Sequence, residues 1–303
     1  MEENDIPTFY EVPFHGLKCR GFCNKLHILF SAIDIVIKSG LTLIEPEFGW
    51  ETPILFSEIY DIRFFIESIK NLTGVNNILI QKNDLPENSK IIRNNIDLFG
   101  YNEHRLFTQR NNCEISHDEM SILVLKSLKI NDNYNHIMSS YNIENKPAIH
   151  IRIESDWIKY SKMKICHDNE LYVIDILKLI EMYKDSSLYE SDVFITTGQN
   201  QIPILKNFID DGINCHYYYN NNYEYEINAA INFELCVRAK IFIGISRSTY
   251  SNLITLKRTL IKKDESYIYN YCGKMLKRQD KGLYSEPFNS IYKSVKIINI
   301  DDV

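Results

Sequence analysis

Apolar residues recur along this chain in two rhythms, a helical one and a strand-like one, and the two alternate. Leu26, Leu29, Phe30, Ile33 and Ile37 stand at helical spacing after a turn, Arg20-Gly21-Phe22-Cys23-Asn24-Lys25, and Gly40 closes the run. Residues 41–44 read as a buried strand stopped at Pro46, 59–69 as an amphipathic helix and 77–81 as a short strand. Residues 84–112 are polar and less periodic, and a helix is predicted over 120–128. The second half alternates more regularly. Strands are predicted over 148–153, 193–197, 214–218 and 241–245, and helices over 171–183, 202–208, 227–237 and from Thr249 onward. Strand and helix in alternation imply parallel sheets with right-handed crossovers. The polar stretch 131–146, closed by Pro147, is the candidate connection between two α/β halves with a cleft between them.

Composition narrows the function classes. The chain has 303 residues, 45% of them hydrophobic and 24% charged, which is room for two cores in a soluble globular protein. A net charge of −6 gives no basic surface for nucleic acid. No apolar run approaches the ~20 residues that a membrane-spanning helix needs. The acidic start, Met1-Glu2-Glu3-Asn4-Asp5, does not read as a signal peptide. The seven cysteines (Cys19, Cys23, Cys113, Cys166, Cys215, Cys236, Cys272) are scattered and lack paired zinc-ligand spacing. Reduced thiols and a cytoplasmic location are therefore expected. The Tyr- and Asn-rich tract 217–225 reads as a surface loop.

Three segments carry candidate chemistry. In His150-Ile151-Arg152-Ile153-Glu154-Ser155-Asp156-Trp157, strand alternation puts His150, Arg152 and Glu154 on one face. Ligands of α/β folds bind at the carboxyl ends of strands, and a planar guanidinium fork suits a diphosphate. Glu154 and Asp156 follow within reach, either to orient Arg152 or to take up a proton. A strand end with ordinary solvated charges fits the same residues. The turn Gly21-Phe22-Cys23-Asn24 precedes a helix, whose unpaired N–H groups attract anions; Asn24 as a simple helix cap is the alternative. In Gly244-Ile245-Ser246-Arg247-Ser248-Thr249-Tyr250, a strand ends in a hydroxyl-rich turn that opens a helix. That is a phosphate cradle without P-loop spacing, and N-capping by Ser248 explains it equally.

In this order the segments resemble the GDP-fucose protein O-fucosyltransferases and the α1,6-fucosyltransferases. The matching residues are Gly21-Phe22-Cys23-Asn24, His150-Ile151-Arg152 with Asp156-Trp157, and Ala239-Lys240-Ile241-Phe242-Ile243-Gly244 leading to Ser248-Thr249-Tyr250. Phe56-Ser57-Glu58-Ile59-Tyr60-Asp61-Ile62 with Phe65-Ile66 is similar to the plant branch, and Val193-Phe194-Ile195-Thr196-Thr197-Gly198 to the strand that ends in a glycine. The resemblance lies in short islands between residues 16 and 258. It implies a GT-B fold, two Rossmann-like domains facing a cleft, here 1–142 on the acceptor side and 143–303 holding the nucleotide sugar. It implies that Arg152 binds the diphosphate, that His150 and Asn24 contact the donor, and that Ser248, Thr249 and Tyr250 hold phosphates, with Gly21, Phe22 and Gly198 beside them. Glu154 and Asp156 are the candidate bases. The implied reaction is inverting transfer of fucose from GDP-fucose to a protein or glycan acceptor, with no cofactor and no metal. The sequence accordingly has no Asp-x-Asp stretch.

Lys240 stands where relatives commonly have an acid and Asn232 where they often have Asp, which leaves the nucleotide's base, guanine or another, open. A GT-B enzyme using another nucleotide sugar is one rival, and a silent sugar- or protein-binding module of the same fold is another.

Overall fold

Strand–helix alternation produces a parallel sheet twice in this chain, once in each half. The structure is a computed structural model that describes residues 6–12, 21–49, 52–93, 117–155, 157–159, 173–198, 202–245, 248–263, 265–271, 274–279 and 296–299. Two compact units emerge, one mainly Met1–Asn133 with Tyr223–Ala230, the other mainly Tyr134–Asn222 with Ile231–Leu283.

In the first unit, strands β1 (Thr8–Tyr10), β2 (Thr42–Ile44), β3 (Leu79–Ile80) and β4 (Lys90–Ile92) lie in the order β3-β2-β1-β4, every pair parallel. The long helix α1 (Phe22–Ser39) buries Leu26, Leu29, Phe30, Ile33 and Val36. It ends where expected, at Gly40 in the left-handed region (φ 69°), whose N–H bonds Val36 O. It begins four residues before the apolar rhythm announces it, with Gly21 at the cap position. The helix expected over 59–69 is two helices, α2 (Phe56–Ile59) and α3 (Ile62–Thr73). Asp61 breaks the run, because its carboxylate accepts from Phe64 N and caps α3. Tyr60, left extended, bridges to Ile130. Helix α4 (His117–Ser127) packs against α1 and α3. Strands β1 and β4 were not expected: each has three residues, and β4 lies in a polar stretch.

The predicted connection 131–146 is partly helical. It holds the turn Asp132–Tyr134, helix α5 (Asn135–Ser140) and the turn Ile143–Asn145, with Ile137, Met138 and Ile143 buried.

The second unit carries β5 (Pro147–His150), α6 (Ile176–Lys184), β6 (Asp192–Thr196), α7 (Ile202–Asp210), β7 (Asn214–His216), α8 (Tyr225–Arg238), β8 (Ile241–Gly244), α9 (Thr249–Leu260), β9 (Ser266–Tyr271), β10 (Lys274–Gln279) and β11 (Lys296–Asn299). The first six residues of α8 are counted with the first unit. Helix α6 starts later than expected because Asp175 caps it, accepting from Leu177 N and Lys178 N. The sheet order is β11-β10-β9-β8-β5-β6-β7, parallel from β9 to β7 and antiparallel through β10 and β11. Read outward from β5, the parallel part has Rossmann order. The antiparallel strands depart from the purely parallel expectation.

One cation holds the ends of this unit's elements together. Arg258 on α9 is fully buried. Its Nη1 donates to the carbonyls of Cys236, Val237 and Ala239, its Nη2 to those of Lys240 and Glu265, and its Nε to Ser266 Oγ. The guanidinium thus closes the C-terminal end of α8, where unpaired carbonyls carry partial negative charge. It also ties that end to the starts of β8 and β9.

Replacing Arg258 with Met strands the buried carbonyls of Cys236, Val237 and Ala239, and we expect a loss of about 3–5 kcal/mol in urea unfolding of the purified protein. Arg258→Lys should recover little, since one ammonium has three donors and no fork. A loss below about 1 kcal/mol for Arg258→Met would show that the carbonyls find other partners.

Candidate active site

Strand β5 leaves the sheet at His150, although Ile151 N still donates to Thr196 O at 2.9 Å. The chain therefore stops being a strand before the expected residue 153. Arg152 and Glu154 nevertheless meet, with Nε and Oε2 2.8 Å apart. The guanidinium carbon lies 4.9 Å from the centroid of the Trp157 ring, and Trp157 is anchored in the unit's core. The backbone of Arg152 is bonded by the hydroxyl of Tyr269, a buried residue of β9. Arg152 is thus fixed on three sides. Its side chain is only 22% exposed, where the sequence suggested a head in the open.

Glu154 is held from its other oxygen. Oε1 accepts from Gly198 N at 2.7 Å, which links the turn after β5 to the end of β6. A Cβ on residue 198 would stand 2.6 Å from that oxygen, so a larger residue there would push the carboxylate off this N–H. Both oxygens of Glu154 are therefore engaged, one by an N–H and one by Arg152. Asp156 lies outside the described residues.

The other wall comes from β8 and α9. Strands β5 and β8 are neighbours, but the chain continues from β5 towards β6 and from β8 towards β9. Connections thus diverge here, and such a switch point is where open α/β sheets bind ligands. Ser248 caps α9, its hydroxyl accepting from Ser251 N, so the capping role is realised. Thr249 and Tyr250 are half-buried. The Tyr250 ring packs 4.9 Å from His150 and edge-on to Phe233 at 5.7 Å.

His150 is 4% exposed, and its Nδ1 lies 2.8 Å from Ser251 Oγ. Burial, and secondarily the charge of Arg152, pushes its pKa down to about 3, so the ring is neutral at pH 7. Ser251 escaped the sequence reading; the signal available was the spacing Ser248-x-x-Ser251.

Gly21, Phe22 and Asn24 belong to the first unit. Gly21 occupies the cap of α1 without a side-chain bond, and Asn24 sits in the first turn, its N–H donating to Gly21 O at 3.0 Å. Asn24 is therefore not the cap. Phe22 is a core residue, its ring 6.4 Å from Phe48. Next to them Lys25 is buried, donating to Phe48 O and to Glu226 Oε1, the latter at 2.5 Å. Neither Lys25 nor Glu226 stood out in the sequence, since 201 residues separate them. Of the two departures from the fucosyltransferase pattern, Asn232 is buried and donates to Tyr218 O, and Lys240 pairs with Glu190 at the surface. Among the described residues no cluster of His, Cys, Asp and Glu could hold a metal ion, and no helix is long and apolar enough to cross a membrane.

Comparison with solved structures places the fold. Apo POFUT1 superposes with a TM-score of 0.60 over 88% of this chain and 99% of that one, at 11% identity. POFUT1 with GDP-fucose gives 0.57 over 83% and 94%, also at 11% identity. The fold is a fucosyltransferase fold of the GT-B class. NodZ alpha-1,6-fucosyltransferase co-crystallised with GDP gives 0.52 over 98% and 99%, at 15% identity. In sequence, the chain is 28% identical over 131 residues to O-fucosyltransferase 23 of Arabidopsis thaliana, a match covering 37% of this chain and 29% of that protein. The matched segment is thus under a third of that relative's length. No family model matches the sequence.

The depressed pKa of His150 gives a signed prediction. The unfolded chain takes up a proton at this ring below about pH 6.5 and the folded one does not until about pH 3. The folded state therefore keeps its full advantage above pH 6.5 and loses it as pH falls towards 3, at up to about 1.4 kcal/mol per pH unit. In urea titrations at pH 7, 6 and 5, His150→Gln should show a shallower loss of stability than wild type. Equal slopes would place the wild-type ring in contact with solvent.

Proposed function

We propose that this protein is an inverting, metal-independent glycosyltransferase that moves fucose from GDP-fucose to a hydroxyl of a protein or glycan acceptor. The observation that carries the reading is Arg152, braced by Glu154 and Trp157 beside the switch point of a Rossmann-ordered sheet. In this reading residues 1–142 form the acceptor side and 143–303 bind the nucleotide sugar. The solved relatives support the donor, since POFUT1 has been crystallised with GDP-fucose and NodZ with GDP. A cytoplasmic location is part of this proposal.

The chemistry follows from charge. As the sugar–oxygen bond breaks, negative charge gathers on the diphosphate, and a fixed guanidinium favours that state over the ground state. Glu154 holds the fork in place and does not serve as the base, because both its oxygens are engaged. Asp156 keeps both roles that the sequence allows it, orienting Arg152 or taking up the proton. Ser248, Thr249 and the start of α9 receive phosphate oxygens, with His150, Tyr250 and Gly198 lining the same strand ends. Gly21, Phe22 and Asn24, at the start of α1 in the first unit, are assigned to the donor by the fucosyltransferase resemblance alone. Asn232 and Lys240 motivate a second reading with the same chemistry and a different base. Asn232 offers its amide N–H to Tyr218, where Asp would present only acceptors.

Two measurements test this. In the presence of EDTA, GDP at 100 times its Kd should stabilise the protein by about 2.7 kcal/mol, with UDP and dTDP doing nothing at the same concentration. Stabilisation by UDP alone would move the donor assignment to another sugar nucleotide, and a requirement for metal would remove the metal-independent mechanism.

Arg152→Ala should lower kcat by roughly 10²–10³ on a verified acceptor. Its folding stability should fall by about 1–2 kcal/mol, because a mostly buried Glu154 loses its counter-charge. Arg152→Lys should fail nearly as badly in turnover, an ammonium being unable to span two phosphate oxygens. Wild-type turnover in the alanine variant would end the proposal for Arg152.

A further inference from the structure

Ser251 lies one turn inside α9 and is 1% exposed, yet it is the polar centre of the strand-end region. Its Oγ accepts from Ile245 N at 3.1 Å, which fastens the end of β8 to the helix. The same oxygen is 2.8 Å from His150 Nδ1, which fastens β5 to that helix as well. Room for it is left by Gly244, where a Cβ would come within 2.6 Å of Oγ. Its backbone N–H is taken by the Ser248 hydroxyl.

A hydroxyl has one proton and can accept twice. The Ile245 N–H can only donate, so the proton of Ser251 has one acceptor among these bonded partners, His150 Nδ1. We propose that Ser251 is a positioning residue that gives its proton to Nδ1 and thereby locks His150 as the neutral tautomer with hydrogen on Nε2. The opposite tautomer would point two N–H groups at one oxygen and leave the hydroxyl proton without an acceptor in a buried place, a costly arrangement. Burial keeps the ring from escaping the choice by taking a second proton at neutral pH.

The consequence is chemical. His150 then meets a ligand as a neutral hydrogen-bond donor, while the cationic charge beside it, among the described residues, sits on Arg152. Such a pair suits a nucleoside diphosphate, with a charge for the group that departs and a neutral donor for an oxygen that stays. This consequence rests on the function proposed above, whereas the tautomer itself does not.

The test separates the two. Long-range ¹H–¹⁵N correlation spectra of the full-length wild-type protein, with His150 assigned through His150→Gln, report which ring nitrogen carries the proton at pH 7. We expect Nε2 protonated and Nδ1 bare; a proton on Nδ1 overturns the proposal, whatever the enzyme does. Ser251→Ala should then show both tautomers and raise the Kd for GDP about ten-fold, one hydrogen bond's worth, while Ser251→Thr, which keeps the hydroxyl, restores the wild-type spectrum. A Ser251→Ala protein that keeps Nε2–H as fully as wild type overturns the role of Ser251. If that variant does not fold, the wild-type spectrum decides alone. A wild-type protein with the expected tautomer and no GDP binding upholds the lock and removes the donor assignment.

Discussion

The buried guanidinium of Arg258 is the constraint on which the second unit depends. Six hydrogen bonds radiate from it, and five go to carbonyls at the end of α8 and just before β8 and β9. A helix end buried beside two strand starts cannot rely on water for these groups. Packing alone would leave the position of β8 soft, since apolar contacts are not directional. With the cation in place, β8 is fixed against β5, and the two diverging strand ends face each other at a set spacing. Lys257, the neighbour of Arg258, is also mostly buried and pairs with Glu234 on α8, so one turn of α9 carries two such anchors.

Above that base the strand ends are organised before any ligand arrives. Arg152 does not wave in solvent; a carboxylate, an indole ring and a tyrosine hydroxyl surround it. Preorganised charge needs little rearrangement when negative charge develops nearby, which is what the role proposed for Arg152 requires. His150 is neutral by burial and oriented by Ser251. Gly198 serves the same end negatively, by lacking an atom where Glu154 must pass.

The alternation of apolar runs made β6 and β8 and the neighbouring helices legible, because Val193-Phe194-Ile195 and Ile241-Phe242-Ile243 stand out from their flanks, whereas β7 (Asn214–His216) has no such residue. The short strands of the first unit did not stand out, since three residues such as Lys90–Ile92 show no period. Helices α2 and α3 merged in the reading because Asp61 looks like one more polar-face residue until its carboxylate is seen to cap. His150 and Arg152 were visible as chemistry at a strand end. The role of Glu154 was not, because it depends on a glycine 44 residues away, and Ser251 was hidden in a helix whose cap drew attention to Ser248. Sequence patterns report local period and local caps. They carry no signal for a hydrogen bond between distant segments.

The pair Lys25–Glu226 has a consequence for the order in which the chain can mature. Both residues belong to the first unit and both are 1% exposed, but 201 positions separate them. As the chain leaves the ribosome, α1 and its sheet emerge long before the carboxylate that neutralises Lys25. A buried ammonium without its counter-charge is strongly disfavoured, so the first unit cannot close its core around α1 at that stage. Residues 134–222, which belong to the second unit, appear in the interval. The first unit therefore stays incomplete until residue 226 has been made, and the closing of its core is tied to a stretch of chain that runs through the second unit.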